Sequence, residues 1–149
     1  MKKSKSNKSE TKKGKLCNVY EEEIDDDSRE LQNSLKKLAK ESLNFEDVIS
    51  LTFSKNADIR IKALQRLCPC RVGDEYELFW NRIFQMVEDP CEKIRYQVLH
   101  NMCDGSPPSM EDRVRDALEV FNRDKDGKIR RTAHKVIASY MRTGKWNIL

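Results

Sequence analysis

The chain has 149 residues, with 29 Lys+Arg against 25 Asp+Glu, 38% hydrophobic residues, 5 Gly and 4 Pro. That is enough for one domain of ordinary size, and the composition excludes a collagen-like or Pro/Gly low-complexity chain. No apolar run approaches the ~20 residues of a membrane span, and no apolar stretch follows the initial lysines; the expectation is a soluble protein, cytoplasmic with the nucleus as the alternative.

Charge divides the chain. Residues 1–16 carry a net +6, residues 17–30 a net −6, and residues 31–149 the whole net +4. The first 27 residues have little apolar content beyond Leu16, Val19, Tyr20 and Ile24. Such a segment cannot offset its ordering entropy, so 1–27 is expected to be a disordered tail, Lys-rich and then acidic. Lys12-Lys13-Gly14-Lys15 has the composition of a localisation or nucleic-acid tail, and the acids from Glu21 to Asp27 could mask it. Next, Ser28 followed by Leu31, Leu35 and Leu38 predicts a cap helix over about 28–40.

An internal repeat follows. Ile59-Arg60, Ile94-Arg95 and Ile129-Arg130 recur at a spacing of 35 residues. Four positions on stand Ala63, Val98 and Ala133, and eight positions on Leu67, Met102 and Ile137. Apolar residues at i, i+4 and i+8 mark one helical face. Earlier in each copy, Val48, Ile83 and Leu118, and Leu51, Met86 and Phe121, keep the same 35-residue register. Each unit is therefore read as helix A, a short turn and helix B, over about 42–70, 74–104 and 109–141. No segment has convincing strand-like alternation. Asp89-Pro90-Cys91-Glu92 reads as a helix N-cap followed by proline at the first helical position. Gly105-Ser106-Pro107-Pro108 breaks the chain between the second and third units. Gly144 stops the last helix, and Trp146, Ile148 and Leu149 are expected to fold back over the last pair, with insertion into a partner as the alternative, making 142–149 a capping tail of a 28–149 domain.

This pattern resembles HEAT-repeat proteins, in a compact variety with a period shorter than the ~40–47 residues of typical units. The markers of tetratricopeptide repeats are absent at repeating positions, and pentatricopeptide repeats lack the Ile-Arg pattern. The resemblance covers about residues 42–141. It implies an all-α fold: a short right-handed alpha-alpha superhelix, or solenoid, of about three helix pairs. In that family an Asp in the turn, six residues before an Arg on helix B, forms a pair that ties neighbouring repeats. Asp89 with Arg95 and Asp124 with Arg130 match; before Arg60 stands Ser54, so the first tie is expected to be weaker or routed through Asp58. Some HEAT-like deoxyhypusine hydroxylases carry repeated His-Glu metal ligands, but here the pairs are His100-Asn101 and His134-Lys135. His134 stands where the other copies have Leu64 and Leu99, and is read as a partly buried structural histidine.

The resemblance also implies that the B helices line a concave working surface. With about 100° per residue, positions two, three and six after the repeating Ile face away from the core. They run from Ile61, Lys62 and Gln65 through Tyr96, Gln97 and His100 to Arg131, Thr132 and Lys135, from mixed to basic. Lys62, Tyr96, His100, Arg131 and Lys135 are the candidate contacts. The expected function is non-enzymatic: a protein-binding adaptor, monomer or weak oligomer, whose partner presents an acidic segment. Two alternatives remain: nucleic-acid binding through the tail and the basic C-terminal half, and a structural subunit stacking through its ends. No phosphate loop or nucleophile elbow is present, and no cofactor or metal is expected. The odd count of 5 Cys argues against a disulfide framework. Cys68-Pro69-Cys70 lacks the usual two-residue zinc spacing, and a zinc site using Cys91 or Cys103 as well is the minor alternative. Cys68 and Cys103 are 35 apart, which favours a packing role at equivalent helix ends.

Overall fold

The computed structural model of the protein describes residues 44–69 and 77–149, together with Arg29, Asn33 and Lys36. The expected tail at 1–27, and Leu31, Leu35 and Leu38 of the expected cap helix, lie outside the described residues. Arg29, Asn33 and Lys36 are helical and exposed.

Among the described residues the chain is all-helical. Its elements are α1 (Phe45–Leu51), α2 (Ala57–Arg66), α3 (Glu77–Gln85), α4 (Glu92–Gly105), a 3-10 turn at Pro108–Met110, α5 (Glu111–Asn122) and α6 (Gly127–Thr143). The helices form three consecutive pairs, α1 on α2, α3 on α4 and α5 on α6, while α4 packs between α2 and α6. On the other side, the Phe45 and Phe79 rings meet edge-on at 6.0 Å, and Arg113 of α5 lies 4.2 Å over the Phe84 ring of α3. Odd-numbered and even-numbered helices thus make two layers.

The repeating apolar positions build the core between those layers. Ile59, Ala63 and Leu67, then Ile94, Val98 and Met102, then Ile129 and Ala133 are all buried, with Phe79, Ile83 and Phe121 supplied by the first layer. Each of the larger of these side chains, the alanines aside, contributes about 1.5–3 kcal/mol by leaving water. The position five after the repeating Ile behaves differently along the chain. Leu64 and Leu99 are fully buried, but His134 is exposed, which corrects its reading as a partly buried residue. The first two positions lie under the next even-numbered helix, and among the described residues none covers this part of α6.

Helix starts follow the 35-residue register too. Asn56, Cys91 and Asp126 are the N-caps of α2, α4 and α6. The Asn56 and Asp126 side chains accept from backbone N–H groups of the first turn, whereas Cys91 caps without a side-chain hydrogen bond. Asp89 is therefore not the N-cap that its neighbour Pro90 suggests; it stands two residues earlier, where its Oδ1 accepts from the Cys91 N–H at 2.9 Å. Cys91 is buried and disulfide-bonded, contrary to the expectation from the odd cysteine count.

At the other end α6 stops at Gly144, whose φ of 70° is the left-handed conformation that glycine adopts without a Cβ penalty. The chain then turns back. Trp146 is buried, its ring lies 5.9 Å from that of Tyr140, and its Nε1 donates to Ser106 Oγ at 2.7 Å. Asn147 Nδ2 donates to Ser106 O at 2.9 Å, and the Leu149 N–H to Cys103 O at 3.0 Å. The last five residues so cover the C-terminal end of α4.

Candidate functional site

Three arginines at equivalent positions organise the even-numbered layer. Each turns Nη1 onto two carbonyls of the turn before its own helix: Arg60 onto Ser54 O and Lys55 O, both at 2.9 Å, Arg95 onto Asp89 O and Pro90 O at 2.8 and 3.2 Å, and Arg130 onto Asp124 O and Lys125 O at 2.6 and 3.0 Å. The opposite edge of the fork takes an aspartate from the following pair. Arg60 Nε and Nη2 donate to Asp89 at 3.0 and 3.1 Å, and Arg95 Nε and Nη2 to Asp124 at 2.7 and 3.0 Å. Both are bidentate and buried, the stronger kind of ion pair.

This geometry corrects the expected pairing. The carboxylate belongs to the arginine 29 residues before it, not to the one six residues after it. Arg60 consequently has a full partner in Asp89, neither weakened nor routed through Asp58. Ser54 retains the local part of the aspartate's task, since its Oγ accepts from the Asn56 N–H at 3.2 Å as Asp124 Oδ1 accepts from the Asp126 N–H at 2.7 Å. Arg130 is exposed and, among the described residues, meets no carboxylate.

Burial alone would raise the Asp124 carboxyl. The hydrogen bonds from Arg95 and from the Asp126 backbone, with the Arg95 charge, outweigh it and hold the group below the ordinary 3.8. The lowered folded value means that protonation favours unfolding. The contribution is complete above the ordinary value and is lost as the pH falls below it, through the lowered one. Melting temperature should be nearly flat from neutrality down to about pH 5 and drop below about pH 4. The Asp124→Asn variant, less stable at neutrality, should lose less on acidification when followed by circular dichroism.

The five sequence-predicted contacts do not form a single bonded cluster. Lys62, Arg131 and Lys135 are exposed on α2 and α6. Tyr96 is half-buried, packed on the core with Lys128 Nζ 3.9 Å above its ring. His100 is half-buried beside two residues that the sequence reading did not join to it. Cys68 Sγ, the His100 imidazole and an Asp104 oxygen lie within 4.8 Å of one another, and the Cys68 thiol donates to Asp104 Oδ2 at 3.0 Å. A signal was available. His100 and Asp104 are four apart on one face of α4, and Cys68, two residues past the end of α2, stands at a register position next to that of Asp104. Cys103, by contrast, is fully buried, and burial pushes its thiol up to about 12, so it remains protonated and serves as packing.

In the odd-numbered layer, Arg82 donates from Nε to Thr52 Oγ1 at 2.8 Å and from Nη2 to Thr52 O at 2.7 Å, with its guanidinium 3.6 Å over the Phe53 ring. Arg113 repeats the device one pair later, donating to Asn81 Oδ1 at 2.8 Å while covering Phe84. A shallow groove beside it is lined by Phe84, Val87, Ala117 and Val120.

No protein family, curated protein or solved structure matches the chain.

Proposed function

We propose that the protein is a non-enzymatic binding module, a HEAT-like right-handed alpha-alpha superhelix of three helix pairs whose basic last pair takes an acidic segment of another protein. The reading rests on Arg130. Its Nη1 is fixed on Asp124 O and Lys125 O, so the guanidinium is oriented as in Arg60 and Arg95. Arg130 is exposed, and among the described residues no carboxylate takes the edge that in those residues receives an aspartate. An Asp or Glu of a partner would meet a donor fork already positioned, which lowers the entropic cost of the contact. Arg131 and Lys135 stand on the same helix and extend the positive field, and residues 121–149 carry a net +6. Lys62, Tyr96 and His100 continue the contact surface toward the first pair.

A fluorescent Asp/Glu-rich peptide, titrated against the full chain, tests this. The wild type should bind, and the Arg130→Glu, Arg131→Glu, Lys135→Glu variant should bind at least about tenfold more weakly with unchanged helicity. Equal affinity in the two proteins would overturn the reading. Tighter binding of a DNA or RNA strand of equal charge, with affinity falling steeply with salt, would replace it by nucleic-acid recognition.

A further inference from the structure

We propose that Cys68, His100 and Asp104 form a binding site for a divalent transition-metal ion of the zinc class. The donor set comes first. A thiolate, an imidazole and a carboxylate are the three ligand types that zinc takes, and three protein ligands with an open fourth position are a usual arrangement. The three donor atoms already lie within 4.8 Å of one another, with Cys68 Sγ and Asp104 Oδ2 at 3.0 Å. Donors at ~2.0–2.3 Å from a tetrahedral ion stand roughly 3.3–3.6 Å apart, so rotation of half-buried side chains suffices to close the site.

The surroundings hold these residues in place. Asn101 of α4 is fully buried and donates from Nδ2 to Leu64 O at 2.9 Å, fixing the last turn of α2 against α4. Gln97 Nε2 donates in turn to Asn101 Oδ1 at 2.8 Å. At the end of α4 a Cβ on Gly105 would stand 2.9 Å from Pro69 Cβ. The missing side chain is what lets the segment carrying Cys68 come this close to Asp104. All three ligands are half-buried, which leaves an entry path for the ion.

A nucleophilic thiol is the competing use of the same atoms, and the geometry is poor for it. The carboxylate lies directly against the sulfur instead of behind the imidazole, so a thiolate would face a second negative charge. A divalent cation between them turns that repulsion into ligation. Binding breaks the Cys68 S–H bond: the sulfur lone pair goes to the metal and one proton to the buffer, with His100 ligating as neutral imidazole. Water fills the fourth position. The ion would join the end of α2 to the end of α4 and so lock the first pair to the second.

The test uses the full chain with the thiols outside the disulfide kept reduced. Zn²⁺ titrated against a chromophoric chelator should bind one ion per chain, with release of about one proton per ion. Co²⁺ should produce thiolate-to-metal charge-transfer absorption. Cys68→Ser, His100→Gln and Asp104→Asn should each weaken Zn²⁺ by about 10–100-fold or more, and Cys68→Ser should abolish the Co²⁺ band, with helicity intact. Gly105→Ala, which displaces Pro69, should weaken binding without touching a ligand. Wild-type protein without Zn²⁺ binding, or binding unchanged in Cys68→Ser or His100→Gln, would overturn the assignment.

Discussion

Replacing Arg95 by alanine should lower stability by about 3–5 kcal/mol, because Asp124 then stays buried without its cation. Asp89 O and Pro90 O lose their side-chain donor in the same step. For a domain of this size the melting temperature should fall by roughly 12–30 °C. Arg130→Ala, at the equivalent position in the repeat, should cost less than about 1 kcal/mol, since that side chain is exposed and has no carboxylate among the described residues. Arg60→Ala should resemble Arg95→Ala, because Ser54 in the first turn leaves the Arg60–Asp89 bonds intact. The Arg95→Met, Asp124→Leu double variant should recover part of the loss but not all of it, since Arg95 no longer ties Asp89 O and Pro90 O to α4. Urea or thermal unfolding of the four proteins measures this order. Equal losses for Arg95 and Arg130 would show that the aspartate bonds contribute nothing.

The second large effect concerns the segment after Gly144. Trp146→Ala should cost about 3 kcal/mol, through the lost ring packing and the lost bond to Ser106 Oγ, which keeps only its 3.5 Å bond to Asn147 Oδ1. Removing residues 145–149 should cost at least as much, and it also frees Cys103 O from the Leu149 N–H. Cys103 provides a second readout. Its buried thiol, pushed up to about 12, should resist alkylation in the intact chain and react in the shortened one. Peptide mass spectrometry after maleimide labelling distinguishes the two, and an unreactive Cys103 in the shortened chain would place its cover elsewhere.

The three helix pairs were legible because apolar residues recur in a fixed register. The spacing that locates Ile59, Ile94 and Ile129 also locates the buried residues four positions on and the N-caps three positions before. The arginine partners were not legible in the same way. In a chain repeating every 35 residues, a step of six backward and a step of 29 forward end on the same repeat position. Sequence spacing therefore cannot separate an aspartate in the arginine's own turn from the one in the next. The side-chain fork decides, with one edge taken by carbonyls of its own turn and the other by the following aspartate. The Cys68, His100 and Asp104 cluster was hidden for a related reason. Its offsets of 32 and 36 are not multiples of the period, so inspection of equivalent positions pairs Cys68 with Cys103 instead. Asp89 was misread as a cap because proline beside an aspartate is a common helix start, while its carboxylate was committed to Arg60.

The offset of 29 residues gives the chain a grammar with a direction. Arg60 and Arg95 look forward, and Asp89 and Asp124 look back, so a spliced copy of the second repeat, placed between the second and third, finds both of its neighbours already addressed to it. Arg95 would donate to the copy's aspartate, and the copy's arginine would donate to Asp124. A repeat set before the first would find Ser54 where its arginine needs a carboxylate. Lengthening by duplication is thus open inside the array and closed at its front.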